Sequence, residues 1–254
     1  MPKKNNPFET FLENLSSVPG VKVNRESFLR SAFQSKEYRW KLQEIIERGP
    51  IEAGIPIEKI GKIADKIIAK ETMWTTGISA VAGIPGGTAL FATVSGDLIN
   101  FYAHIFIIVQ KLMYLYGWEE DIFGDSGDID NDTMNVLIIY IGSMFGIGTA
   151  SNILVKSVSV SATKMARGVI VKNFIKGGVS RTIIKKIIQA IGVKSTIKGV
   201  ISVGSKSVPV VSGVLSGGVT FFTFSPMTKK LKRFLQKGQI KNIENEKDVD
   251  EILA

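Results

Sequence analysis

The sequence has no cysteine and a single histidine, His104, in 254 residues. Without thiols there is no disulfide, no thiolate zinc site and no cysteine nucleophile. One histidine speaks against a Ser-His-Asp triad and a His-rich metal centre, so neither a metal nor a cofactor is expected. A Gly-x-x-x-x-Gly-Lys-Ser/Thr phosphate loop is missing. The glycine cluster Gly83, Pro85, Gly86 and Gly87 follows a helical pattern rather than a strand, so it is no dinucleotide fingerprint. The opening residues MPKKNNPFETFLENLSS hold no continuous apolar segment, no cleavage site and no lipidation motif. They predict retention on the cytoplasmic side.

Acidic residues are missing from a whole half of the chain. Residues 1–132 carry 14 basic and 18 acidic side chains, whereas residues 133–243 carry 17 basic and none acidic. The tail 244–254 carries five acids and one lysine, and the chain nets +9. A basic half of this length faces a large negative partner, or is neutralised within the protein by the acidic cluster at 119–132.

Three blocks lack charge altogether: Met73 to Gly96, Thr133 to Val155 and Ser207 to Thr228. Each is long enough to span about 30 Å as a helix, but glycine, serine and threonine dilute all three. Pro85 interrupts the first, and Pro209 and Pro226 flank the third. Helical hairpins or tightly packed helices fit them better than simple spans; only the middle block is apolar enough to pass alone. Each block holds one Gly-x-x-x-Gly pair, Gly83/Gly87, Gly142/Gly146 and Gly213/Gly217, a spacing that sets small residues on one helix face. About three such pairs arise by chance, so their confinement to the uncharged blocks is the informative part.

Helical periodicity dominates elsewhere. Residues 25–48 read as an amphipathic helix, with one possible break, burying Phe28, Phe33, Trp40 and Ile45 and ending at Gly49-Pro50. Residues 57–72 set Ile57, Ile60, Ile63, Ala64, Ile67 and Ile68 against a charged face. A long helix is expected over roughly 88–116, an acidic loop over 119–132 and an apolar helix over 134–156. Short basic helices follow over 160–200, and a Gly-rich hairpin with a basic helix fills 208–238. In the basic region Ile183, Ile184, Ile187, Ile188 and Ile191 oppose Arg181, Lys185, Lys186 and Gln189. Such a helix suits the headgroup layer of an anionic bilayer, or packs on a core with its lysines in solvent.

The stretch GIPGGTALFATVSGDLINFYAHIFIIVQKLMYLYGWEE resembles the central signature of the EcsC family. There a glycine–proline break leads into an Asp-bearing helix that ends in Tyr-Gly-Trp. The segment SVPVVSGVLSGGVTFFTFSPMTKKLKRFL, with Gly213, Gly217 and Gly218, is similar to that family's C-terminal stretch. It departs at Phe221-Phe222, where a polar residue is expected. The resemblance covers roughly residues 30–238. It implies a bacterial, largely helical, membrane-associated protein with no established enzymatic activity.

One constellation bears polar chemistry. Asp97, Asn100, His104 and Lys111 share a face of an otherwise apolar helix. They line a polar groove, an ion path or a ligand contact, or they form a buried pairing in which Asp97 caps the helix. The loop EEDIFGDSGDIDND alternates Asp128, Asp130 and Asp132, but Thr133 and Ile139 occupy the positions where a calcium loop needs Gly and an acid. It reads instead as a solvated loop with Asp132 or Thr133 as an N-cap.

The expectation is a mainly α protein: a helical bundle with Gly-rich apolar hairpins and cationic amphipathic helices. It divides into an N-terminal arm 1–29, an EcsC-like domain 30–238 and an acidic tail 239–254. Its function is expected to be non-enzymatic, at the anionic cytoplasmic face of the bacterial membrane, with lipid or a membrane protein as partner. Arg181, Lys185, Lys186, Lys194, Lys198, Lys229, Lys230, Lys232 and Arg233 are the expected membrane-surface residues. The alternatives are a soluble ligand-binding protein with its hairpins buried in its own core, or a nucleic-acid-binding protein. The basic half disfavours nucleic acid, since Phe174 is its sole aromatic between 146 and 220.

Overall fold

The computed structural model describes residues 7–16, 18–77, 96–124, 128–158, 179–190 and 224–241, which are helical with no strand. The elements are α1 (Pro7–Ser16), α2 (Arg25–Ala32), α3 (Leu42–Arg48, entered through a 3-10 turn, Arg39–Lys41), α4 (Ile57–Gly77) and α5 (Gly96–Leu115). After these come α6 (Asn131–Met144), α7 (Gly148–Val158), α8 (Val179–Ala190) and α9 (residues 224–241). The mainly α expectation holds.

Helix α5 is apolar on nearly every side and is the centre of the bundle. Phe106, Ile108, Val109, Leu112 and Met113 are fully buried. Its rings meet three neighbours: Tyr102 stands edge-on to Phe11 of α1, Tyr114 tilts against Phe28 of α2, and Phe101 stands edge-on to Phe224 of α9. Buried Gln110 ties the α1–α2 connection to this centre. Its Nε2 donates to the Val21 carbonyl at 2.9 Å, and its Oε1 accepts from Val23 N at 2.9 Å. Within the stretch 1–29 read as an arm, the described residues thus pack Phe8, Phe11, Leu15 and Leu29 into the common core.

The helix expected over 25–48 is interrupted between Ala32 and Arg39. Fully buried Phe33 ends α2 and stacks edge-on against Tyr38, and that turn throws Trp40 outward, 77% exposed. Trp40 therefore leaves the apolar face expected for it.

The apolar helix expected over 134–156 is two helices, α6 and α7, bent by 118°. Gly146 causes the corner. It takes φ +77°, Gly146 N–H donates to the Ser143 carbonyl and Ile147 N–H to the Gly142 carbonyl, both at 2.9 Å, the Schellman ending that a left-handed glycine permits. Eleven residues of α6 are buried, so the middle uncharged block is core of the bundle. Gly142 admits two neighbours: a Cβ there would lie 2.8 Å from Ile183 Cγ2 of α8 and 2.9 Å from Ala150 Cβ of α7. The Gly142/Gly146 pair is thus one close contact and one helix stop, not a single helix face. Among the described residues no single helix is long and apolar enough to cross a membrane; α6 and α7 pass that test only as the bent pair.

Asp130, rather than Asp132 or Thr133, caps α6. Its Oδ1 accepts from the backbone N–H of Asp132 and Thr133 at 2.9 Å each, and its Oδ2 from Thr133 Oγ1 at 2.6 Å. Thr133 is buried, so the acid three residues before it takes the capping position. Asp130→Ala is expected to cost about 1 kcal/mol in urea unfolding, the usual loss of an N-cap.

Candidate functional site

Of the polar stripe expected on α5, the structure brings His104 and Lys111 together on a residue outside that stripe. Glu71 of α4 is buried, and its carboxylate receives His104 Nδ1 at 3.0 Å on one oxygen and the Lys111 ammonium on the other. Burial pushes the Glu71 carboxyl pKa up. The hydrogen bond from His104 and the adjacent Lys111 charge outweigh it and hold the group below its ordinary 4.5. Glu71 is therefore ionised at neutral pH and only accepts, so His104 Nδ1 carries the hydrogen. Asp97 and Asn100 lie within the first five residues of α5; their side chains are outside the described residues.

Glu71 was legible as a continuation of the α4 apolar face. Ile57, Ile60, Ala64 and Ile68 recur at helical spacing, and Glu71 and Thr75 extend the same series; both are buried. The cluster is consumed by its own bonds and staples α4 to α5. Among the described residues no group of three His, Asp or Glu is placed to hold a metal.

The staple sits just below one end of the bundle, where several helix ends meet. Helix α9 runs against α4, with Lys232 Nζ 2.7 Å from Asp65 Oδ1 and Gln236 against Gly61 one turn further on. It runs alongside α5, with Phe224 on Phe101 and Gln239 Nε2 donating to the Tyr116 carbonyl at 3.0 Å. The end of α4, the start of α5 and the start of α9 therefore share one pole. Residues 78–95, within the first uncharged block, connect two of these ends, and the third block leads into the other. At this pole Met73 is 71% exposed and Trp74 53%.

Beside it, Asp65, Ser225, Pro226, Lys229, Lys232 and Arg233 line an open groove of about 460 Å³ between α4 and α9. Lys229 and Arg233 are exposed. Lys232, expected at the membrane surface, turns inward to Asp65. Lys230 lies half-buried over Gly146, at the α6–α7 corner. On α8, Arg181, Lys185 and Lys186 are exposed, while Ile183, Ile184 and Ile187 are buried. The amphipathic reading of α8 is correct, and its apolar face is spent on the protein core. Gly83, Pro85, Gly86, Gly87, Lys194, Lys198, Gly213, Gly217 and Gly218 lie outside the described residues.

No protein-family model, no curated protein and no solved structure matches this chain.

Proposed function

We propose that this chain is a non-enzymatic, EcsC-like protein of the bacterial cytoplasmic membrane. It docks pole-first on the anionic inner face and serves lipid binding or the regulation of a membrane partner. The observation that carries this reading is the convergence of helix ends: Met73, Trp74 and the attachments of two uncharged blocks occupy one pole. An aromatic ring beside an apolar segment suits the membrane–water interface. The polar cluster beneath is internally satisfied, which favours a role in holding the pole together over one in catalysis.

Helix α8 contributes charge alone, since its isoleucines are already packed. Both α8 and α9 touch the α6–α7 corner, through Ile183 on Gly142 and Lys230 on Gly146. Exposed basic residues on both helices, Arg181, Lys185 and Lys186 on α8 and Lys229 and Arg233 on α9, would supply the charge for this docking. Sedimentation with vesicles tests the proposal. The chain is expected to bind phosphatidylglycerol-rich vesicles, to weaken steeply as salt rises, and to keep a salt-resistant fraction held by the uncharged blocks. Changing Arg181, Lys185 and Lys186 together to alanine should cost about 3 kcal/mol, roughly a hundredfold in partition. Equal binding to neutral and anionic vesicles, untouched by the triple change, would leave those charges as a solvated face.

A further inference from the structure

We infer that the groove between α4 and α9 is a site for the phosphoryl group of an anionic glycerophospholipid, an inference that rests on the membrane docking proposed above. Lys229, Lys232 and Arg233 fall at i, i+3 and i+4 of α9, so one helix face presents three cations. Asp65 answers one of them, through Lys232. Lys229 and Arg233 have no ion pair among the described residues, and no acid lies anywhere on α9. Like charges one turn apart repel, so an anion bound between them would relieve that repulsion. The opening of about 460 Å³ admits a phosphate with part of its glycerol.

The donor chemistry suits phosphate. Arg233 offers a planar fork that matches two phosphoryl oxygens, Lys229 a mobile point charge, and Ser225 a hydroxyl at the end of the groove nearest the pole. Depth agrees as well. Lys229 is one turn, about 6 Å, along α9 from Ser225, and the headgroup layer is roughly 5–8 Å thick on each side of a bilayer. A pole resting at the hydrocarbon boundary would hold Lys229 among the phosphates, and Arg233, about 12 Å along α9 from Ser225, would reach back to them only through its long side chain.

The test compares the full-length chain with Lys229→Ala/Arg233→Ala and with Lys185→Ala/Lys186→Ala, which removes the same charge from α8. Partition is measured onto vesicles of neutral lipid doped with phosphatidic acid or, at matched surface charge, with oleate. Each double variant should bind anionic vesicles about thirtyfold more weakly, at the usual effect of a surface cation. The wild type and the α8 variant should prefer phosphatidic acid to oleate, and the groove variant should lose that preference. Asp65→Asn, which frees Lys232, should raise it.

Unchanged preference in the groove variant would overturn the site while leaving membrane docking intact. Wild-type chain that sediments with no vesicle would overturn both. A free phosphate source is separated by thermal melting: stabilisation by millimolar inorganic phosphate that the groove change abolishes, without any vesicle preference, would assign the groove to a soluble phosphate ligand and overturn the lipid assignment. Loss of duplex DNA binding in the groove variant, with partition onto vesicles unaffected, would assign it to nucleic acid.

Discussion

Glu71→Ala is expected to lower the unfolding free energy by about 3 kcal/mol, because it leaves His104 and the Lys111 ammonium without their acceptor. Glu71 is nearly sealed from solvent, and Lys111 is partly open, which keeps the loss toward the lower end for a broken buried pair. Glu71→Gln should cost about half as much, since an amide oxygen still accepts from one partner but no longer balances the charge. The pH dependence has a defined sign. The carboxyl ionises more readily folded than unfolded, so its contribution is complete above the unfolded value near 4.5. It disappears as pH falls below that value through the lower folded one. The difference between wild type and Glu71→Gln in urea midpoint should therefore be constant near neutrality and shrink below pH 4.5. A difference that persists unchanged into strong acid would show that the carboxylate charge does not hold α4 to α5.

Gly238→Val should be the most damaging of the glycine substitutions. A Cβ at Gly238 would stand 2.6 Å from Val158 Cβ, 2.7 Å from its Cγ1 and 3.2 Å from the Val155 carbonyl oxygen. The side chain it meets is β-branched and stiff, and the third contact is backbone, so relief requires moving α7 off α9. Overpacking of this kind costs about 1–3 kcal/mol, and valine's two further carbons place the expected loss at about 3 kcal/mol. Gly238→Ala should cost less, and both are read from the urea midpoint. A midpoint unchanged for valine would mean that α7 and α9 are not packed at this spacing.

Much of the architecture was legible because single helices declare themselves by period. The isoleucine series of α4 and α8 recurs at helical spacing, and burial follows it from Ile57 to Ile68 and from Ile183 to Ile187. The corner between α6 and α7 was hidden by uniform apolarity. Where every side chain is buried, periodicity carries no information about direction, and the turn depends on the backbone of Gly146 alone. Trp40 was misplaced because a helix wheel assumes that the helix continues, and the tight turn after Phe33 resets the phase. The polar site was half visible. His104 and Lys111 share a face of α5, but their common partner is some 40 positions from Lys111 in sequence, and only the packing of α4 on α5 brings it there. Convergence of the end of α4 with the starts of α5 and α9 on one pole is also a tertiary fact. It rests on pairs such as Lys232 with Asp65 and Phe224 with Phe101, which no local pattern announces.

The most direct measurement of pole-first docking uses the tryptophans already present. Trp74 stands at the pole. Trp40 stands at the other end of α4, where its Nε1 donates to the Glu37 carbonyl at 3.1 Å and Lys59 in the first turn of α4 reaches the Glu37 carboxylate at 2.7 Å. Residues 59 and 74 are separated by about 22 Å of helix. Two single-tryptophan chains, one keeping Trp74 and the other Trp40, with Trp118 and the remaining tryptophan changed to phenylalanine, are bound to phosphatidylglycerol-rich vesicles that carry brominated acyl chains. Strong quenching of Trp74 with little quenching of Trp40 is the predicted result. Quenching of Trp40 to the same extent, or a fully bound chain whose Trp74 is unquenched, would contradict the orientation and with it the proposed mode of membrane attachment.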